Sequence, residues 1–217
     1  MGSNKPRVLQ LSLDDPSAFE DVHERLLGML KSTASLERAL EPKSALQILA
    51  GQPPQVVLVA DGGIADHTDV LAKLLEYARG GGVLIFMGAF SSFVTMDDLD
   101  RILKETGLSW TRGRYFRTTV HRNDTEQRLL HNLLPTHYSQ KAIFLENVPA
   151  IDAWYLPDES SNTESYVFPN EPVQNLKQTP VAFTSIGNGK LGYVGDVNGE
   201  EGSDAVILAM CGLLSVA

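Results

Sequence analysis

The chain has 217 residues, enough for one α/β domain with helices on both faces of a sheet and cramped for two. Apolar residues make up 43% and charged residues 21%, so a core can be buried and composition gives no case for disorder. The formal charge of −9 is spread along the chain and argues against nucleic acid, whose phosphates call for a basic face.

The run Arg7 to Leu13 is short and rich in branched residues, and Asp14-Asp15-Pro16 stops it, which reads as a buried first strand. Phe19, Val22, Leu26, Leu27 and Leu30 then recur at the helical period, with Ser17 as the cap. Ser32 to Gln52 is open between readings: residues 36–40 suit a short strand and 44–50 a turn or two of helix. Gln55 to Ala60 is a continuous apolar run, as a parallel strand buried on both faces requires. After Asp61-Gly62-Gly63 a helix is expected from about Asp66 to Arg79, ended by Gly80-Gly81-Gly82. Val83 to Met87 is a second buried strand, Gly88-Ala89-Phe90-Ser91-Ser92 the turn at its carboxyl end, and Met96 to Thr106 a further helix.

Two such strand-helix units predict a parallel pair with a right-handed crossover. From Trp110 to Val120 and from Ala142 to Leu156 the chain reads as shorter strands, with a small helix at about Thr125 to Leu134 between them. The basic stretch Arg112 to Arg122 carries Tyr115, Phe116 and Val120 at strand spacing and reads as a half-exposed strand. Residues 157–178 are polar and look like an exposed excursion. Pro180 to Ile186 and Leu191 to Val197 form a hairpin around Gly187-Asn188-Gly189-Lys190, and Ser203 caps a last helix to Leu214.

The segment Val56 to Phe90, with the late pattern Pro180-Val181-Ala182-Phe183 and Gly187-Asn188-Gly189-Lys190-Leu191-Gly192, resembles the class I glutamine amidotransferase-like superfamily. Its nearest members are the ThuA-like proteins and the amidotransferase-like domains of some glycosidases. The resemblance rests on Leu75-Glu76-Tyr77-Ala78-Arg79-Gly80-Gly81-Gly82-Val83 and on the late hairpin, and covers about half the chain. It implies a three-layer, mostly parallel, flavodoxin-like sheet. In the true amidotransferases a cysteine nucleophile stands on the elbow after the second buried strand. Here that elbow is Gly88-Ala89-Phe90, and Ser91 and Ser92 arrive two or three residues late, so glutaminase activity is not expected. Cys211, the single cysteine, lies on an apolar helix face with Val206, Leu208 and Met210, where a thiol stays protonated.

Ligands of open α/β sheets gather outside the carboxyl ends of the strands. There Asp61, His67, Ser91 and Ser92 could share one cleft as an acid-base set; the plainer reading ties Asp61 to backbone amides and leaves His67 in an exposed first helical turn. Asp196 and Asn198 follow the last strand and either line the same cleft or form a capped turn into the helix. His121, His131 and His137 lack the spacing of a compact zinc helix, and His23 sits amid charged neighbours, as a solvated residue would. Gly187-x-Gly189-x-x-Gly192 precedes a strand, not a helix, and so is a hairpin and not a dinucleotide loop. Tyr115, Trp154 and Tyr155 read as core beside the sheet or as a stacking surface.

One disulfide-free chain without a signal-like apolar run or a span of roughly 20 apolar residues suits the cytoplasm. Pro6 also breaks an otherwise myristoylation-like start. The expectation is a single domain over 1–217 with no cofactor, no metal and no assigned catalytic residue. It would act by binding a small polar or carbohydrate-like ligand, at candidate residues Asp61, Gly62, His67, Gly88, Ala89, Phe90, Ser91, Ser92, Asp196 and Asn198, or by forming homo-oligomers. The alternative is a small-molecule hydrolase using an Asp/His/Ser cleft.

Overall fold

The computed structural model describes residues 5–14, 16–123, 133–165 and 167–214. Two short runs, Val56–Val59 (β3) and Val83–Phe86 (β4), set the centre, because every residue of β3 and all but the first of β4 is buried. Their side chains alternate between two cores: Val57 and Val59 face one, Val56 and Leu58 the other. Arg7–Leu11 (β1) lies beside β3 in parallel, and Ser35–Ala39 (β2) lies parallel on the outer side of β1. The stretch left open at 32–52 thus holds both β2 and a helix, Pro42–Ala50 (α3).

The helices fall into two layers. Pro16–Val22 (α1), Glu24–Thr33 (α2) and Glu201–Met210 (α7) bury Phe19, Leu26, Leu30, Val206 and Ile207 on one face. On the other, α3, Thr68–Arg79 (α4) and Met96–Thr106 (α6) bury Leu49, Leu71, Leu74, Leu99 and Ile102. α6 shows how local sequence sets an element. Thr95 caps it by accepting a hydrogen bond from the Asp98 amide at 3.2 Å, Asp97 and Asp98 favour its N-terminus, and Gly107 at φ 77° closes it in the left-handed conformation.

The expected single helix after β1 breaks at His23, which separates α1 from α2 and has φ −114°, ψ 25°. α1 begins at Pro16, so Ser17 lies inside the helix rather than at its cap. The last helix begins at Glu201 with Glu200 at the cap position, which moves Ser203 into its first turn. The helix expected at 125–134 falls almost wholly outside the described residues.

The sheet departs from the mostly parallel expectation. It has nine strands in the order β2-β1-β3-β4-β9-β8-β7-β5-β6. β2, β1, β3, β4 and Gly189–Val194 (β9) are parallel, a flavodoxin-like order. Val181–Ile186 (β8), Ala153–Leu156 (β7), Thr111–Arg122 (β5) and His137–Glu146 (β6) continue it by antiparallel pairing. The hairpin Gly187-Asn188 makes this possible, since β9 runs antiparallel to β8 on one side and parallel to β4 on the other. β6 also reaches back through bridges Ala142–Asp196 and Leu145–Thr179, which fix the chain just after β9 and just before β8. No helix among the described residues is long and apolar enough to cross a membrane.

Candidate functional site

β1 pairs with β2 on one side and β3 on the other, so the chain reverses its direction of travel across the sheet there, and the crevice at the ends of β1 and β3 is the expected ligand position of such a fold. Asp61 occupies it. The carboxylate accepts the amides of Leu13 at 3.1 Å, Asp14 at 3.3 Å and Gly63 at 3.1 Å, stitching the two strand ends together. It is 2% exposed, and burial pushes its pKa up while the three amides oppose the rise. Gly63 must be glycine here: a Cβ would stand 2.8 Å from the Asp14 nitrogen. Gly62 packs as tightly on the backbone of Phe93 and Val94. His67 sits at the cap position of α4 with no side-chain capping bond, and no hydrogen bond joins it to Asp61.

The elbow after β4 keeps the backbone of a strand-turn-helix, with Gly88 at φ 65° and a short helix, Phe90–Phe93 (α5), after it. A Cβ on Gly88 would lie 2.5 Å from the Phe19 ring, so an aromatic from α1 fills the space a side chain here would take. Phe90 is fully buried against Phe86, ring centroids 4.9 Å apart, and Ala89 is buried in the opposite core. The two serines diverge. Ser91 is 3% exposed and donates to the Tyr193 hydroxyl at 3.3 Å, which itself donates to the Ile143 carbonyl at 3.0 Å. Ser92 faces solvent and points to the Val197 carbonyl at 3.5 Å.

Asp196, 2% exposed, accepts the amides of Asn198 at 2.9 Å and Glu200 at 2.7 Å, so its carboxylate shapes the turn into α7. Burial raises its pKa, and a Ser203 hydrogen bond opposes the rise. Asn198 stands exposed on this turn. Asp61, His67 and the serines therefore do not form one hydrogen-bonded set; Ser91, Ser92 and Asn198 do share a cleft.

That cleft has two lobes meeting at Ser92 and Val197. The first, about 270 Å³, is lined by Val22, His23, Ala89, Phe93 and Asp21. The second, about 300 Å³, is lined by Ser91, Val94, Met96, Tyr115, Ile143 and Asn198. Both walls carry apolar side chains left open to water: Val22, Phe93, Met96 and Tyr115. Tyr115 is thus outside the core, whereas Trp154 and Tyr155 are inside it.

His23 is the residue the sequence hid. Its neighbours in the chain are charged, yet it is 4% exposed, stacked on Phe19 at 4.6 Å, with Nδ1 buried and without a hydrogen-bond partner. The turn at Gly199 covers it; a Cβ there would stand 3.1 Å from Nδ1. Desolvation, then the charge of Arg25, lowers its pKa to about 4, so the imidazole is neutral at neutral pH. Arg25 looks away, donating to Asp204 at 2.6 Å and to the Gly199 carbonyl at 3.1 Å, and so clamps the covering turn to α2.

No protein-family model and no curated protein matches the sequence. Solved structures do match in fold. A ThuA-like protein from Parabacteroides merdae superimposes with a TM-score of 0.55 at 13% identity over 98% of this chain and 92% of its own. A GMP synthase-like protein from Thermoplasma acidophilum gives 0.54 at 10%, over 97% and 96%. A β-galactosidase from the haloarchaeon Halorubrum lacusprofundi gives 0.55 at 14%, over 100% of this chain and 32% of that one. The chain spans about a third of such β-galactosidases. At these identities the likeness is one of α/β fold.

Among the described residues no three His, Cys, Asp or Glu side chains are grouped to hold a metal. His121 stacks on His137 with centroids 5.7 Å apart and meets Asp158 at 3.3 Å; His131 lies outside the described residues. Cys211 is buried at the end of α7, and burial drives its thiol pKa far up.

Proposed function

We propose that this chain is a noncatalytic domain of the amidotransferase-like fold that binds a small, uncharged, polar ligand of carbohydrate-like character in the His23 lobe. The observation that carries the reading is the elbow: Gly88 stands where a nucleophile would, and the ring of Phe19 takes its side chain's place. Ser91 bonds to a tyrosine, Ser92 to a backbone carbonyl, and Cys211 is buried, so none of the three is paired with the imidazole that would activate a nucleophile. Among the described residues the hydroxyl that meets an imidazole, Thr136 with His137 at 3.1 Å, lies exposed at the start of β6 and lines neither lobe.

The lobe suits binding. A neutral imidazole exchanges one hydrogen bond as readily with a hydroxyl as with an amide, and Ser92 Oγ and the Val197 carbonyl, which share one hydrogen bond, add acceptor lone pairs beside it for ligand hydroxyls. Val22 and Phe93 offer an apolar wall of the kind that packs on the C–H face of a sugar. Asp21 at the rim and the net charge of −9 disfavour anions. A cytoplasmic setting belongs to the same proposal, supported by a chain with one, buried cysteine.

The test is a panel of neutral mono- and disaccharides, polyols and their anionic counterparts, read by ligand-detected NMR against wild type and His23→Phe. Neutral sugars or polyols should bind wild type and lose at least tenfold in affinity with His23→Phe. Binding indifferent to that substitution removes the site. Turnover of glycoside, ester or amide substrates that Ser92→Ala abolishes would overturn the noncatalytic reading.

A further inference from the structure

Among the described residues the most exposed large apolar side chains lie in one loop. Val167 is 80% exposed and Phe168 73%. The loop that carries them is well tied. The bridge Asn162–Pro172 and the bond from the Thr163 amide to the Glu171 carbonyl at 2.7 Å close its base. Ser165 Oγ accepts the amides of Val167 and Phe168, both at 3.1 Å, and Asn170 accepts the Ser165 amide at 3.2 Å. Val167 and Phe168 are thus apolar side chains held out on hydrogen-bonded backbone, as a finger is, which lowers the ordering cost of docking.

The same chain carries the complement. In the second lobe of the cleft Met96 and Tyr115 are 42% and 50% exposed above the buried side chains of Val94 and Ile143, around a hollow of about 300 Å³ that takes an aromatic ring. The charges match as well. Lys141 lies with Nζ 5.1 Å from the centre of the Tyr115 ring, and among the described residues neither it nor Glu171, at the base of the finger, forms an ion pair. Of the other charges nearby, Arg112 and Arg117 of β5 are paired with Asp100 and Glu200, and Asp158 and Glu164 bond to β5 and β6 of their own chain, so the match rests on Lys141 and Glu171.

We infer that the occupant of this trough is a second copy of the chain, which inserts Phe168 between Met96 and Tyr115 and sets Glu171 against Lys141. The contact is heterologous, one surface meeting a different one, so copies join finger to trough and close into a ring where the rotation permits. A knob and a hole left open on one molecule, with opposite charge beside each, favour a second copy over an unrelated partner. The small-ligand reading concerns the other lobe, and self-association stands or falls without it.

Sedimentation velocity over a concentration series tests it on three chains: wild type, Phe168→Asp and Met96→Asp. Both substitutions keep the fold, since Phe168 is solvated and an acid in the first turn of α6 favours that helix. Wild type should sediment as an oligomer and each variant as a single chain. Mixed in equal amounts, the variants should recover a species of two chains, because each retains the half the other has lost. Glu171→Lys and Lys141→Glu should each weaken association about fivefold or more, and together restore it. A wild type that stays monomeric at its highest soluble concentration overturns the inference. So does a variant that assembles like wild type, or a mixture that stays monomeric.

Discussion

Gly88→Ala measures whether the elbow is closed to side chains. The backbone at φ 65° costs an L-residue about 1–2 kcal/mol. The added methyl meets the Phe19 ring at 2.5 Å, and this ring is fully buried and stacked on His23, so relief requires moving a packed aromatic, about 1–3 kcal/mol more. The expected loss is therefore roughly 2–5 kcal/mol, or about 4–20 °C in Tm for a domain of this size. Urea unfolding at unchanged m reads it directly. Phe19→Leu, which withdraws the ring, should cost something alone but absorb the steric part, so that the double variant is about 1–3 kcal/mol less destabilised than the sum. A loss below about 0.5 kcal/mol for Gly88→Ala, or strict additivity with Phe19→Leu, would refute the account of the elbow.

Acid should find His23. Its folded pKa of about 4 lies below the unfolded 6.5, so the unfolded state binds the proton first and stability falls as pH drops from about 6.5 to about 4, by roughly 3 kcal/mol at most. Asp61, Asp196 and Asp204 have raised pKa values and act in the opposite sense at the acid end. The contribution of His23 is thus read as the difference between wild type and His23→Phe, and a pH-independent difference would falsify it. Asp61→Asn places an NH₂ against at least one of three amide donors and should lower stability by about 1–3 kcal/mol in thermal unfolding; a neutral result would mean the carboxylate does not hold β1 to β3.

The parallel half of the fold was legible because its signals are local. A strand buried on both faces must be apolar at every position, as Val56–Val59 is, and a helix such as Met96–Thr106 carries its cap, its apolar stripe and its closing glycine within one short window. The antiparallel half was legible as strands but not as a sheet, since nothing near Gly189–Val194 says that its second edge pairs with β4. That no cysteine follows the second buried strand could be read directly, but the reason a side chain at Gly88 does not fit could not, because Phe19 comes from another helix. His23 shows the limit plainly. Asp21, Glu24 and Arg25 around it promise a solvated histidine, and it is the turn at Gly199, distant in sequence, that closes over it where it stacks on Phe19.

The two lobes share Ser92 and Val197, so where both are occupied the two sites act on a common wall. A finger seated in the second lobe covers the shared wall and removes water from the Ser92 hydroxyl, so a ligand hydrogen-bonded there should be held more tightly in the assembled protein than in the Phe168→Asp monomer. Couplings of this kind amount to about 1–3 kcal/mol, and linkage requires the ligand to tighten self-association by the same factor. Titration calorimetry on both forms gives one side of the cycle and sedimentation with and without ligand the other. Equal affinities in the two forms would separate the lobes energetically, leaving the finger and the small-molecule pocket as neighbours with no common function; unequal factors on the two sides would mean that Phe168→Asp alters the ligand site itself and does not only block assembly.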